Sequence, residues 1–240
     1  MEAQNANRGI LYLIPTPLGD QDRNVSIPEY NLEIIMGLDI FIVEELRTAR
    51  RFLRKFGYTN DFDSVTFFLL NEHTSYEEML SFAQPLKEGK SIGLLSEAGC
   101  PNIADPGAQL IYQSHVIGAK VVPLTGPSSI IMSLMASGLT GQQFTFHGYL
   151  PVKPHERSQK IKEIDRLISR GHNHTHIFIE APYRNRQLLE ALLQHLSEDT
   201  RLCVAANISM SDESIKTMRV GEWRKRKPDP GKVPAVFLVS

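Results

Sequence analysis

Three segments combine glycine and proline at the ends of short apolar runs: Pro15-Thr16-Pro17-Leu18-Gly19-Asp20, the stretch Ser96-Glu97-Ala98-Gly99-Cys100-Pro101-Asn102-Ile103-Ala104-Asp105-Pro106-Gly107, and Thr125-Gly126-Pro127-Ser128-Ser129. Glycine lets a backbone turn sharply and approach a ligand, whereas proline fixes φ and removes an amide donor. A phosphate cradle needs such donors, and these loops discard them at Pro15, Pro17, Pro101, Pro106 and Pro127. Neither G-x-x-x-x-G-K-[ST] nor G-x-G-x-x-G occurs, which counts against nucleotide hydrolysis and dinucleotide redox chemistry. Rigid loops offering carbonyl acceptors and few charges suit a neutral or cationic ligand with many hydrogen-bonding edges, such as an adenosine derivative. The same prolines have a plainer explanation as helix starters, and single loops leave both readings open.

The elements that would hold these loops alternate along the chain. Residues 10–15, 39–43, 65–70, 91–95 and 119–123 read as short buried strands, with helical periodicity at 46–56, 75–86 and 106–117. Pro106 fits a first helical position with Asp105 as its N-cap. The alternation predicts βαβ units, in which ligands bind beyond the carboxyl ends of the strands. After an apolar helix at 127–137 comes a second series: strands at 144–148, 176–180 and 201–206, helices at 155–169 and 185–195, and a final hairpin of 215–223 with 233–239. The expected fold is therefore α/β with two α/β domains, residues 1–124 and 125–240.

Composition narrows the function class. The 240 residues carry 26 Lys and Arg against 27 Asp and Glu, a net charge of −1, too balanced for a protein that coats nucleic acid or stays disordered. Cys100 and Cys203 are the only cysteines, and no Cys-x-x-Cys occurs, so neither a disulfide framework nor a zinc site is expected. His172, His174 and His176 alternate without acidic or thiol partners nearby, which reads as a solvated loop entering a strand and no metal site. A polar N-terminus and the lack of any long apolar run predict a soluble cytoplasmic protein with no membrane association. The basic run Arg224-Lys225-Arg226-Lys227 after Trp223 reads as a solvated turn or, with its aromatic neighbour, as a contact for RNA phosphates.

The segments 11–20 (Leu-Tyr-Leu-Ile-Pro-Thr-Pro-Leu-Gly-Asp), 94–107, 123–129 and Phe-His-Gly-Tyr-Leu-Pro at 146–151 resemble the tetrapyrrole-methylase superfamily. With Glu180-Ala181-Pro182-Tyr183-Arg184, they look most like its ribosomal RNA small-subunit methyltransferase I group, which methylates a cytidine ribose 2′-hydroxyl. The resemblance implies S-adenosylmethionine bound in the cleft between two α/β domains, a homodimer, and ribosomal RNA or the small ribosomal subunit as partner. Matched motif by motif, it assigns cofactor contacts to Leu18, Gly99, Cys100, Ile103, Ser128 and Ser129. Phe178, Ala205, Pro234 and Ala235 are the second-domain contributors. Methylation of a small molecule or tetrapyrrole precursor, and a catalytically inactive S-adenosylmethionine-binding regulatory protein, are the alternatives.

Two departures bear on the substrate. The group's usual Ala-Glu-Asp-Thr-Arg appears as Val43-Glu44-Glu45-Leu46-Arg47, and its Arg-Glu-Leu-Thr-Lys as Ala206-Asn207-Ile208-Ser209-Met210, which replaces charged side chains with uncharged ones. Methyl transfer to oxygen depends on positioning and is helped by a base that takes the hydroxyl proton. Glu44, Glu45, Arg47, Glu72 and His73 follow the second and third expected strands and are candidates, with Glu72 and Arg47 assigned as catalytic. Cys100 lacks an activating cation and is expected to line the ligand loop as a small side chain.

Overall fold

The computed structural model describes residues 8–20, 23–171, 173–226 and 229–240. The polar N-terminal stretch 1–7, His172 and Lys227 lie outside the described residues. The chain divides into two compact units, residues 1–127 and 128–240. The dividing point falls three residues beyond 124 because Thr125–Pro127 packs on the first unit. Asn31 Nδ2 donates to Thr125 O at 2.8 Å, and the Cys100 thiol donates to Pro127 O at 3.3 Å.

The first unit is built on five parallel strands, β1 (Ile10–Ile14), β2 (Ile40–Val43), β3 (Thr66–Leu69), β4 (Ile92–Leu95) and β5 (Lys120–Pro123). Their order is β3-β2-β4-β1-β5. Strand β4 is buried throughout, as a central parallel strand covered on both faces must be. Side chains from β1 and β2 close over Gly93, where a Cβ would lie 2.6 Å from Ile14 Cδ1 and 3.0 Å from Phe41 Cδ1. Helix Leu46–Lys55 buries Ala49 and Leu53 against this sheet's core.

The second unit holds a mixed sheet of β6 (Phe144–Tyr149), β7 (Thr175–Glu180), β8 (Arg201–Ala206), β9 (Ser214–Arg219) and β10 (Ala235–Val239), ordered β6-β7-β10-β8-β9. The expected terminal hairpin does not form. Strand β10, Ala-Val-Phe-Leu-Val with every residue buried, inserts between β7 and β8, while the alternating Ser-Ile-Lys-Thr-Met-Arg of β9 takes the edge beside β8. Residues 220–223, expected as strand, begin helix Val220–Arg226, and the Glu222 carboxylate accepts from the Arg219 amide at 3.0 Å as a cap does. Trp223 is buried, with Nε1 donating to Leu202 O at 2.8 Å, and Arg224 donates to the carbonyls of Leu193 and Leu196. Trp223 is thus buried in the fold, while Arg224, Lys225 and Arg226 remain on the exposed surface of this helix.

His176 departs from the solvated loop expected for it. It is buried in β7 and bonded through Nδ1 to His147 Nε2 on β6 at 2.9 Å, while His174 Nε2 meets Thr145 Oγ1 at 2.8 Å. His147 in turn stacks on Phe178, with ring centroids 5.2 Å apart. Burial, then the charges of His147, His174 and Lys160, holds the His176 pKa down at about 4. The unfolded chain therefore binds the extra proton more readily between about pH 4 and 6.5. Stability from this residue is complete above about pH 6.5 and is lost as pH falls toward 4, by at most about 3 kcal/mol before solvent screening.

Two outcomes are expected. Gly93→Ala overpacks the first core and costs about 1–3 kcal/mol, seen as a lower urea midpoint by far-ultraviolet circular dichroism, since the single tryptophan reports on the other unit. His176→Gln narrows the stability difference between pH 7 and pH 4.5 that tryptophan fluorescence records in the unaltered chain; an unchanged difference would exclude His176 as its source.

Candidate functional site

The carboxyl ends of β1, β4 and β5 carry the three Gly-Pro loops, and short contacts lock them together. The Thr16 amide donates to Gly99 O at 2.9 Å and the Gly99 amide to Thr16 O at 3.0 Å, a two-residue antiparallel bridge between loops far apart along the chain. Thr16 Oγ1 adds a bond to Ser96 O at 3.1 Å. Gly99 has φ +89°, and a Cβ there would lie 3.3 Å from Leu18 Cδ2 and 3.5 Å from Pro127 O. At Gly126 a Cβ would overlap Pro15, 2.2 Å from its Cγ. The glycines thus serve close loop-to-loop approach.

Beside this junction lies a cavity of about 370 Å³, within the range of small-ligand sites. Its walls include Thr16, Leu18, Thr48, Phe52, Ser96 and Glu97. A second hollow of about 360 Å³, lined in part by Ser75, Tyr76, Met79 and Asp105, opens along the same edge.

The electrostatics of this edge come from carboxylates. Burial, then the charges of Asp105, Glu97 and Glu72, raises the Glu44 pKa. Glu97 is also pushed up by burial, against hydrogen bonds from the Glu45 amide and the Thr48 hydroxyl. Burial raises Asp105 too, partly offset by the Ser96 hydroxyl and the Glu97 amide. The expected N-cap role for Asp105 gives way to this arrangement. Asn102 and Ala104, at φ 67° and 64°, turn the loop so that Asp105 points at Ser96, and Gly107 occupies the cap of helix Ala108–Val116. Burial and the Asp105 charge hold the Cys100 thiol protonated, which fits a lining residue better than a nucleophile.

The remaining sequence-derived residues distribute unevenly. Glu45 caps helix Leu46–Lys55, accepting from the Arg47 amide at 2.9 Å and the Thr48 amide at 2.6 Å. Arg47 is exposed, and the Glu72 side chain, 87% exposed, pairs with His73 at 3.7 Å. Ile103 is half exposed on the β4 loop. In the second unit, Ser128 caps helix Ser129–Ala136 through Ile131 N, and Ser129 O accepts from Ser133. Phe178 and Ala205 are fully buried in that unit's sheet, Ala235 is buried at the start of β10, and Pro234 is exposed. The uncharged 206–210 segment is a tight turn, with Asn207 Nδ2 bonded to Asp212 Oδ2 at 2.7 Å and the Ser209 amide to Glu213 Oε2 at 2.6 Å. Among the described residues, no group of three His, Cys, Asp or Glu side chains is placed to hold a metal ion, and no helix is long and apolar enough to cross a membrane.

Sequence reasoning missed Glu97 as a site residue, although it directly follows the most glycine- and proline-dense strand end. It also missed Thr48 and Phe52, because a cavity wall contributed by the flank of an amphipathic helix has no local signature.

This arrangement of α/β units is the fold of known methyltransferases. The crystal structure of the methyltransferase CobJ superposes with a TM-score of 0.62 over 97% of this chain and 94% of that one, at 14% identity. The cobalamin biosynthetic enzyme cobalt precorrin-4 methyltransferase, CbiF, gives 0.61 over 100% and 98%, at 16% identity. A family model described as Tetrapyrrole (Corrin/Porphyrin) Methylases matches residues 11–223, and the chain belongs to this family. It is a methyltransferase, as the motif resemblance implied. Relatives named Ribosomal RNA small subunit methyltransferase I include one from Vibrio cholerae, 34% identical over 96% of this chain and 76% of its own length. Another, from Haemophilus influenzae, is 32% identical over 97% and 78%.

Gly99→Ala places a side chain in a positive-φ position and is expected to cost about 1–2 kcal/mol. Gly126→Ala, with its overlap against Pro15, is expected to cost at least as much; a urea midpoint unchanged in both would show that the loops are free to separate.

Proposed function

We propose that the protein transfers a methyl group from S-adenosylmethionine to a ribose 2′-hydroxyl of small-subunit ribosomal RNA. The observation that carries this reading is the shared name of relatives 32–34% identical over nearly the whole chain. The site's chemistry supports the donor. Carbonyl oxygens of Gly126 and Pro127 and the carboxylates of Glu97, Asp105 and Glu44 suit a ligand bearing sulfonium and ammonium charge.

When bound, S-adenosylmethionine supplies an electrophilic methyl group. Leu18, Gly99, Cys100 and Ile103 would hold it on the first unit, whereas Phe178 and Ala205 are fully buried in the second unit's sheet and are not placed to touch it. The chain's own part in the chemistry is to hold the acceptor hydroxyl and take its proton. Glu44 is the favoured base, because partial desolvation and the like charges of Asp105, Glu97 and Glu72 make its carboxylate more basic than an ordinary glutamate. Glu72 and Arg47, on either side of the same sheet edge, orient the acceptor. A homodimer belongs to the reading, and exposed Ile131 and Met135, one turn apart on helix Ser129–Ala136, offer apolar surface for it. An enzyme with this substrate works in the cytoplasm.

The deciding experiment is tritiated methyl transfer to small-subunit particles from a strain lacking the gene, followed by mapping of the labelled nucleotide. Label on a 2′-hydroxyl is expected. Donor binding without transfer to any RNA would point instead to the inactive regulatory protein, and transfer only to small molecules to a tetrapyrrole-type substrate. Glu44→Gln is expected to lower kcat about 100-fold and to remove the acid limb of the pH–rate profile, which lies above the ordinary glutamate range because that pKa is raised. Alanine at Glu72 or Arg47 is expected to slow turnover on the same substrate, and unchanged turnover would remove those two from the site.

A further inference from the structure

Helix Leu46–Lys55 reads Leu-Arg-Thr-Ala-Arg-Arg-Phe-Leu-Arg-Lys, with five cations and no acid in ten residues, inside a chain whose net charge is −1. An ordinary solvated helix intersperses both signs. Here Ala49 and Leu53 anchor one face, Phe52 is partly buried beside them, and the rest of the surface is cationic. Of the five cations, only Lys55 has an ion-pair partner within 4.0 Å among the described residues, namely Asp20. The nearby acids Asp61 and Asp63 sit in the turn beyond the helix, where Asp61 caps the Asp63 amide.

Two of the free guanidiniums are already held in place by aromatic rings. Arg54 lies 4.0 Å from the Phe62 ring centroid and donates to Tyr58 O at 2.7 Å; Arg50 lies 5.3 Å from both Phe62 and Phe67. A guanidinium placed over a ring loses little further freedom when an anion arrives, although Arg50 Nε is itself buried. Arg51 is exposed and lines the cavity beside the Gly-Pro loops, so the cationic surface runs up to the site itself.

We infer that helix Leu46–Lys55, through Arg50, Arg51 and Arg54, is the surface that grips the phosphate backbone of the RNA substrate. The inference rests on the RNA reading above. Arginine preset on aromatic rings matches repeated phosphate oxygens, and the position beside the cavity lets backbone contacts set which ribose reaches it. A local, sequence-independent phosphate grip also suits a chain whose net charge is only −1.

The test uses the full chain and an unmethylated transcript of small-subunit ribosomal RNA, with binding followed by fluorescence anisotropy from low to high salt. Arg50, Arg51 and Arg54 are changed together to Gln, leaving Arg47 in place because its loss would mix binding with catalysis. The slope of log K against log salt is expected to become shallower by roughly 2–3, with binding near physiological salt weakened about tenfold or more. The matching triple Lys variant restores most of the slope, which separates loss of charge from loss of folding, and circular dichroism checks the fold of both. If the unaltered protein methylates RNA and the Gln variant keeps its slope, the helix is not the grip, while the proposed function stands. If the unaltered protein neither binds nor methylates RNA, both fall. A Gln variant that loses a poly-glutamate peptide but keeps the RNA slope would assign the helix to an acidic protein partner and overturn the inference.

Discussion

The pair of hydrogen bonds between Thr16 and Gly99 is the constraint on which the rest of the first unit's site depends. It joins the loops after β1 and β4, strands that are neighbours in the sheet, and so extends their pairing beyond the last regular residue. The third loop is fixed by exclusion, since Gly126 has no room for a Cβ against Pro15. Three loops from separate parts of the chain therefore act as one rim. A rim ordered before the ligand arrives spends little of the binding energy on ordering.

Charge is segregated around that rim. Carboxylates from Glu44, Glu97 and Asp105 gather along the sheet edge, where burial raises all three pKa values and like charge adds to the rise at Glu44 and Glu97. Cations gather on the adjoining helix, where arginine is supported by Phe62 and Phe67 instead of by acids. The near-zero net charge of the chain thus conceals two local excesses of opposite sign, one suited to a cationic donor and the other to a polyanionic acceptor.

Much of the first unit was legible in the sequence, because parallel strands buried on both faces appear as continuous apolar runs and their loops as Gly-Pro clusters. The second unit was harder to read. A fully apolar final strand is compatible with a hairpin or with insertion at the centre of the sheet, and only tertiary pairing selects the latter. The helix at Val220–Arg226 was hidden because Val220 and Trp223 have strand propensity, and its real signal was the capping carboxylate of Glu222. At the site, the loops and Gly99 were readable, whereas the second role of Asp105 was not: Asp-Pro has a sufficient local explanation, and its bond to Ser96 depends on two left-handed residues between them. The basic helix was underread as Arg47 alone, since a stripe of arginine gains meaning only when aromatic partners from a later segment lie beneath it.

The placement of β10 bears on how the protein is made. The first sheet takes all its strands from residues 10–123, so it can close while later residues are still being synthesised. The second sheet cannot, because its middle strand is the last in sequence order, and β7 and β8, paired with β6 and β9 on one side, each keep an open edge on the other until residues 235–239 arrive. For that interval the nascent chain carries a folded first unit beside two exposed apolar strand edges, the kind of surface that invites wrong pairing. Exposure to chaperones during biosynthesis is thus concentrated in the second unit, and the delay is set by topology more than by the strength of any single contact.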